Sequence, residues 1–313
     1  MPAKASSKTL ISIVGPTAVG KTALAIKVAQ HLHTEIISAD SRQFFQEMEI
    51  GTAKPSPEEL AAAPHHFISS HHITELFSIG DFEVQAMALL TNLFEAHDQV
   101  VLVGGSGLYV NALLNGLDDL PATDLSIRAA LNDEFQAEGL DGIKARLAAL
   151  DPEYYAQVDQ FNTQRVIRGL EFVLSTGKKL SSFQSNSKKL RPFNVIKIGL
   201  NKDRQQLYNQ INQRVDQMME AGLLEEVRRL LPHRELNALK TVGYAELFDY
   251  LDGTCSLAEA IDKIKQNTRR FAKRQLTWFR KDEETKWFAP EQTTEILEYI
   301  NQYRSDNLEN YTG

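Results

Sequence analysis

The sequence predicts an α/β protein in which a parallel, doubly wound sheet is interrupted by an all-helical insertion. Three observations carry that expectation. An apolar run, Leu10-Ile11-Ser12-Ile13-Val14, passes directly into Gly15-Pro16-Thr17-Ala18-Val19-Gly20-Lys21-Thr22, and Ala23 to Leu32 beyond it has helical composition. Further strand-like runs, Glu35 to Ala39, Val100 to Val103 and Val195 to Leu200, are separated by helical stretches such as Asp81 to Ala96. Such alternation implies parallel pairing, with ligands at the carboxyl ends of the strands. Between Gly116 and Asn194 the alternation stops, and Ser126 to Ala137, Leu140 to Leu150 and Thr163 to Ser175 read as successive helices.

The octapeptide Gly15 to Thr22 sets the chemistry. Glycines at both ends let the backbone curl until successive N–H groups point inward, Lys21 adds a point charge for phosphate oxygens, and Thr22 offers a hydroxyl to a Mg²⁺ ion. The helix that follows aims the positive end of its dipole at the same anion. An isolated pattern of this kind is equally an ordinary glycine-containing turn; the strand before it and the helix after it select phosphate binding.

Phosphate binding is not hydrolysis. NTPases of this architecture usually carry an acidic residue at the end of a second strand to help hold the metal, yet Val100 to Val103 runs straight into Gly104-Gly105-Ser106-Gly107. The acidic residue that does end a strand-like run is Asp40, followed by Ser41-Arg42-Gln43. It is either a helix N-cap after a strand or a carboxylate that serves the reacting group.

Three segments follow: residues 1–116 as the first part of the sheet domain, 117–190 as the helical insertion, and 191–313 as the second part with a basic C-terminal helix. The exit of the insertion, Thr176-Gly177-Lys178-Lys179 through Ser185-Asn186-Ser187-Lys188-Lys189, is polar and turn-rich and suits a hinge or contact surface. The expected fold is thus a P-loop, nucleotide-kinase-like parallel sheet with an inserted all-helical domain.

Composition narrows the function. No apolar run approaches the roughly 20 residues that cross a bilayer, and Met1-Pro2-Ala3-Lys4 leads into no signal-peptide core, so a cytoplasmic enzyme with no membrane partner is expected. One cysteine, Cys255, excludes an internal disulfide framework and a cysteine zinc ribbon. The pairs His65-His66 and His71-His72 match no standard zinc spacing, which favours ring packing and hydrogen bonding beside the sheet. A net charge of −7 argues against indiscriminate nucleic-acid binding. Against that background every charged residue from Lys263 to Lys281 is basic, interleaved with Phe271, Trp278 and Phe279. The stretch is either a solvated basic helix with aromatics in the core or a local polyanion site.

Taken in order, Gly15 to Thr22, Asp40 to Gln43, Gly51-Thr52-Ala53-Lys54-Pro55, Pro64-His65-His66-Phe67, Val103 to Tyr109, Arg165 to Glu171, Val242-Gly243-Tyr244 and Lys273 to Arg280 resemble the bacterial tRNA dimethylallyltransferase (tRNA isopentenyltransferase) family. The resemblance runs from about Leu10 to Trp287. It implies transfer of a dimethylallyl group from dimethylallyl diphosphate to the exocyclic amine (N6) of the adenosine at tRNA position 37, just 3′ of the anticodon. A diphosphate leaving group needs the cradle, Lys21 and Mg²⁺, and no attacking water, so the missing hydrolytic carboxylate fits.

By the same resemblance, Asp40 is the general base, Arg214 binds the leaving diphosphate, and Ser106 stands near it where relatives commonly have Thr. Gly15, Pro16, Thr17, Ala18, Val19, Gly20, Lys21 and Thr22 hold the donor, with Thr22 on the metal. RNA contacts fall on Asp40, Ser41, Arg42, Gln43, Ser106 and Arg128, and on Gln164, Arg165, Val166, Ile167 and Arg168. They continue at Lys240, Val242, Gly243, Tyr244, Lys273, Arg274, Gln275, Trp278 and Arg280, with the insertion and sheet domain clasping the anticodon arm. The acceptor base must leave its stack before it reacts. One departure is Asp159-Gln160-Phe161-Asn162-Thr163, where relatives often carry a His-Pro-Asn-Asp-like run. A monomer is expected. The alternatives are an isopentenyltransferase acting on free adenine nucleotide, which needs neither the insertion nor the basic helix, and a small-molecule kinase, for which no phosphoryl-acceptor motif is evident.

Overall fold

The computed structural model describes residues 8–184 and 188–312; Met1 to Lys4 and Ser185-Asn186-Ser187 lie outside them. The chain divides into two units, one of residues up to Asn115 and from Leu190 onward, the other Gly116–Lys189.

The first unit opens with β1 (Thr9–Val14), α1 (Lys21–Leu32), β2 (Ile36–Ser38), α2 (Pro57–Ala62), β3 (His65–His66), α3 (Ile79–Ala96), β4 (Gln99–Gly104) and α4 (Gly107–Asn115). The second unit holds α5 (Leu125–Glu138), α6 (Asp141–Leu150), α7 (Pro152–Gln157) and α8 (Thr163–Thr176). Returning to the first unit, the chain adds β5 (Asn194–Leu200), α9 (Arg204–Glu220), α10 (Leu223–Leu230), α11 (Tyr244–Leu251), α12 (Leu257–Phe279), β6 (Lys286–Phe288) and α13 (Thr293–Thr312).

Six strands form one sheet in the order β3-β2-β4-β1-β5-β6, every pair parallel. Burial on both faces explains the nearly continuous apolar run in β1 and β4. Successive residues face opposite ways. Ile11 and Ile13 pack with α1, α9 and α13 through Leu24, Val28, Ile211 and Ile296, whereas Leu10 and Val14 pack with α3 and α4 through Phe82, Leu90 and Leu113. Helix starts are written in capping boxes: Ser56 with Glu59 for α2, Ser78 with Asp81 for α3, and Ser256 with Glu259 for α12. Neither β3 nor β6 is foreseen by the alternation of the sequence, because two and three residues are too few to show a period.

The helical unit closes its own core around Ile143, Leu147, Val166, Ile167, Leu170 and Phe172. Two buried carboxylates brace it. Asp151 accepts from Tyr154 N at 3.1 Å, starting α7, and from Ser181 N at 3.0 Å. Glu171 accepts from Arg128 Nη1 and Thr123 Oγ1 at 2.7 and 2.9 Å. Among the described residues no helix is long and apolar enough to cross a membrane.

Candidate active site

The turn between β1 and α1 is built for an anion. Gly15, Ala18 and Gly20 all have positive φ, and Gly20 enters α1 in the left-handed region at φ 103°. A side chain at Gly15 would meet the Leu200 carbonyl at 2.6 Å, so the loop passes too close to the end of β5 for any other residue. Lys21 folds back over the loop, its Nζ donating to Pro16 O at 2.8 Å.

A second element closes this loop from far away in sequence. Gln275 on α12 accepts from Thr17 N at 2.8 Å and donates through Nε2 to Gly105 O at 2.9 Å. The side chain is buried and tied to the loops that follow β1 and β4, which are adjacent strands.

Two charged groups act through space on the Lys21 ammonium of the cradle. Burial presses the Lys21 ammonium down from 10.5 to about 8, the Asp40 carboxylate opposes that shift, and the Arg214 guanidinium adds to it. Arg214, on α9, is itself lowered by burial, with Glu59 opposing. Asp40 follows β2 and begins no helix; its Oδ1 accepts from Arg42 N at 3.1 Å within a turn. Ser106, after β4, accepts from Ser41 N at 3.0 Å and donates to Ser41 Oγ at 3.1 Å. Because β2 pairs with β4 and β4 with β1, these residues share the carboxyl edge of the sheet.

The expected RNA-contact residues divide into those that can present a side chain and those that cannot. Lys240, Lys273, Arg274, Trp278 and Arg280 are exposed, while Ala272, Gln275 and Phe279 point inward, so α12 is basic on its outer face only. An open cavity of about 410 Å³ on that face is lined by Arg270, Lys273, Arg274, Thr277, Trp278 and Lys281. In the helical unit Gln164 and Arg165 are exposed and Arg168 half-buried; Arg128 holds Gln164 Oε1 at 2.7 Å as well as Glu171.

Burial and internal hydrogen bonds limit what several of the expected RNA-contact residues present at the surface. Val166 and Ile167 are fully buried in the helical core, so neither side chain reaches RNA. Tyr244 is fully buried, its hydroxyl donating to Glu226 Oε1 at 2.6 Å, and Gly243 beside it is buried too; Val242 is partly buried. Gln275 serves the phosphate loop. Arg42 donates to the carbonyls of Asn237 and Ala238, both at 3.1 Å, and Gln43 Nε2 donates to those of Thr52 and Ala53, at 3.2 and 3.0 Å. Both side chains are committed to holding neighbouring loops. The paired histidines have local partners: His66 Nε2 lies 2.6 Å from Glu35 Oε2, His72 Nδ1 2.9 Å from Glu47 Oε1, His65 Nδ1 2.8 Å from Ala63 O, and His71 stacks on Phe77.

Two roles escape sequence reasoning: Gln275 as a clamp on the phosphate loop and Glu226 as the acceptor for Tyr244. Each depends on a long-range contact for which the local sequence carries no signal.

The chain is similar along its length to proteins of one kind. The IPP transferase family pattern matches residues 43–282. The tRNA dimethylallyltransferase of Christiangramia forsetii is 55% identical over 295 residues, covering 94% of this chain and 98% of that protein. The crystal structure of the full-length tRNA isopentenylpyrophosphate transferase from Bacillus halodurans superposes with a TM-score of 0.73 at 38% identity, covering 98% of this chain and 100% of that one. A eukaryotic dimethylallyltransferase acting on tRNA gives a TM-score of 0.72 at 28% identity, covering 87% of this chain and 69% of that one. With its phosphate loop, its acidic turn and its basic helix in this arrangement, the chain belongs to the IPP transferase family.

Proposed function

We propose that the protein transfers the dimethylallyl group of dimethylallyl diphosphate to the N6 amine of the adenosine 3′ of the anticodon, position 37 of tRNA, releasing diphosphate. The observation that carries this reading is the backbone cradle with Lys21 folded over it, where the Asp40 carboxylate and the Arg214 guanidinium both act electrostatically on the Lys21 ammonium. The two cations suit an anionic leaving group, and the carboxylate suits the role of proton acceptor.

In the reaction the amine nitrogen bonds to the terminal allylic carbon as that carbon's bond to oxygen breaks. Lys21 and Arg214 stabilise the charge that grows on the departing oxygens. Asp40 takes the proton that the amine gives up. The extruded adenine presents its amine at the carboxyl edge of the sheet, where Ser41 and Ser106 keep the Asp40 turn attached to the end of β4.

The donor set fits a Mg²⁺ ion carried in by the diphosphate. Thr22 opens α1 at the cradle and its hydroxyl makes no protein hydrogen bond among the described residues; together with phosphate oxygens it suits a hard cation that keeps several waters. Held there by Thr22, a Mg²⁺ ion would supply positive charge to the diphosphate. The exposed basic face of α12 favours a polymeric acceptor over a free adenine nucleotide. The same reading places the protein in the cytoplasm as a monomer.

The test is incubation of the purified protein with labelled dimethylallyl diphosphate, Mg²⁺ and unmodified tRNA, then nuclease digestion. Label on the adenosine 3′ of the anticodon is expected. Label on free adenine nucleotides with none on tRNA would replace this acceptor with the nucleotide.

A further inference from the structure

Glu226, on α10, is 1% exposed, and its carboxylate is filled by four donors. Oε2 accepts from Glu49 N at 3.1 Å and Ile50 N at 2.7 Å; Oε1 accepts from Gly51 N at 3.1 Å and Tyr244 Oη at 2.6 Å. A buried carboxylate is costly unless donors replace its water. Here three consecutive backbone N–H groups of a single turn supply most of that replacement, so the turn can hold only one position against α10. Tyr244 enforces the fit: a Cβ at Gly51 would lie 2.6 Å from its ring.

The turn leads to the acidic end of β2. Its next two carbonyls, Thr52 and Ala53, hold the amide of Gln43. Gln43 is bound in turn to the Asp40 turn, its N–H donating to Asp40 O at 3.1 Å. Thr52 Oγ1 donates to Met48 O at 2.8 Å and Lys54 Nζ to Phe45 O at 2.6 Å, which stiffens the segment between them. A path of hydrogen bonds joined by the covalent chain thus runs from Glu226 through the 49–53 turn and Gln43 to the backbone carbonyl of Asp40.

We propose that Glu226, assisted by Tyr244, is a positioning residue for the transfer reaction: it fixes the 49–53 turn, which through Gln43 aims the Asp40 carboxylate at the acceptor amine. This rests on the reading of Asp40 as proton acceptor. Misplacing a reacting group by about 1 Å costs up to 10²-fold in rate, and a residue acting at second hand is expected to cost less.

The experiment compares Glu226→Gln, Gln43→Ala and the double variant in single-turnover reactions with saturating tRNA and donor, well below each melting temperature. Each single variant is expected to slow the transfer by about 10-fold with the donor KM unchanged, and the double variant to be no slower than the worse single, because both break one path. Wild-type single-turnover rates combined with a lower melting temperature would overturn the proposal in favour of a purely structural role. So would losses that multiply in the double variant. Should Glu226→Gln fail to fold, Tyr244→Phe removes one of the four donors; a smaller loss, non-additive with Gln43→Ala, is expected, and a wild-type rate overturns the proposal. Asp40→Asn run in parallel separates the two ideas: a normal rate there sinks the base assignment, whereas a loss confined to Asp40→Asn sinks the positioning role alone.

Discussion

Gln275 and Thr17 stand 258 positions apart and share a hydrogen bond of 2.8 Å, so α12, the 23-residue helix that precedes β6 and α13, fixes the first turn of the phosphate loop. The same amide reaches Gly105 O, which makes Gln275 the joint between two loops at the carboxyl edge. Gln275→Ala leaves the Thr17 N–H and the Gly105 carbonyl without their partner, at a cost of about 1–3 kcal/mol. We expect a rise of roughly 10-fold in the donor KM with tRNA affinity nearly unchanged, measured by steady-state kinetics and RNA binding. A selective loss of RNA affinity would return Gln275 to the RNA-contact residues.

Lys21 carries a pH signature. Its native pKa of about 8 lies below its ordinary 10.5, so between those values the unfolded chain binds the additional proton. Its contribution to stability is therefore fully present above pH 10.5 and is lost as pH falls through about 8. In the donor-free protein, Lys21→Met should melt higher than the wild type at pH 7, and the difference should shrink as pH rises toward 10. Melting curves across that range check it, and a variant less stable at every pH would contradict it.

The outer face of α12 should act through charge alone. Lys273, Arg274 and Arg280 are exposed, and neutralising all three is expected to weaken tRNA binding and flatten its salt dependence by about 2–3 units in log–log slope, since each lost phosphate contact removes roughly 0.7–0.9 of a released counterion. The melting temperature and donor KM should stay near wild type. An unchanged slope with a lower melting temperature would make the helix a structural element only.

Much of this was legible in the sequence, and the reasons for the remainder are physical. The strand, glycine loop and helix at residues 9–32 are local, with buried periodicity and a fixed glycine spacing, and each lies where the sequence puts it. The helices of the insertion are likewise set by local pattern, except α7, a six-residue helix begun by the Asp151 cap and Pro152. Tyr244 shows that a motif names residues without their direction: the same Val242-Gly243-Tyr244 run could face solvent, and the burial of Tyr244 against Glu226 on another helix shows that it faces inward. Val166 and Ile167 show the same limit, lying between exposed Arg165 and half-buried Arg168 on a helix whose inner face is the core. Gln275 sits amid a basic run and reads as surface, yet it is the inward position of that turn.

In the proposed reaction the Asp40 carboxylate, which also acts electrostatically on Lys21, accepts the proton of the attacking amine. Its most direct test is the single-turnover rate of Asp40→Asn with saturating donor and tRNA, measured beside its tRNA dissociation constant. An unchanged dissociation constant is expected, with a rate lowered by roughly 10²-fold or more, the scale of general-base catalysis. A near-normal rate in that variant would contradict it.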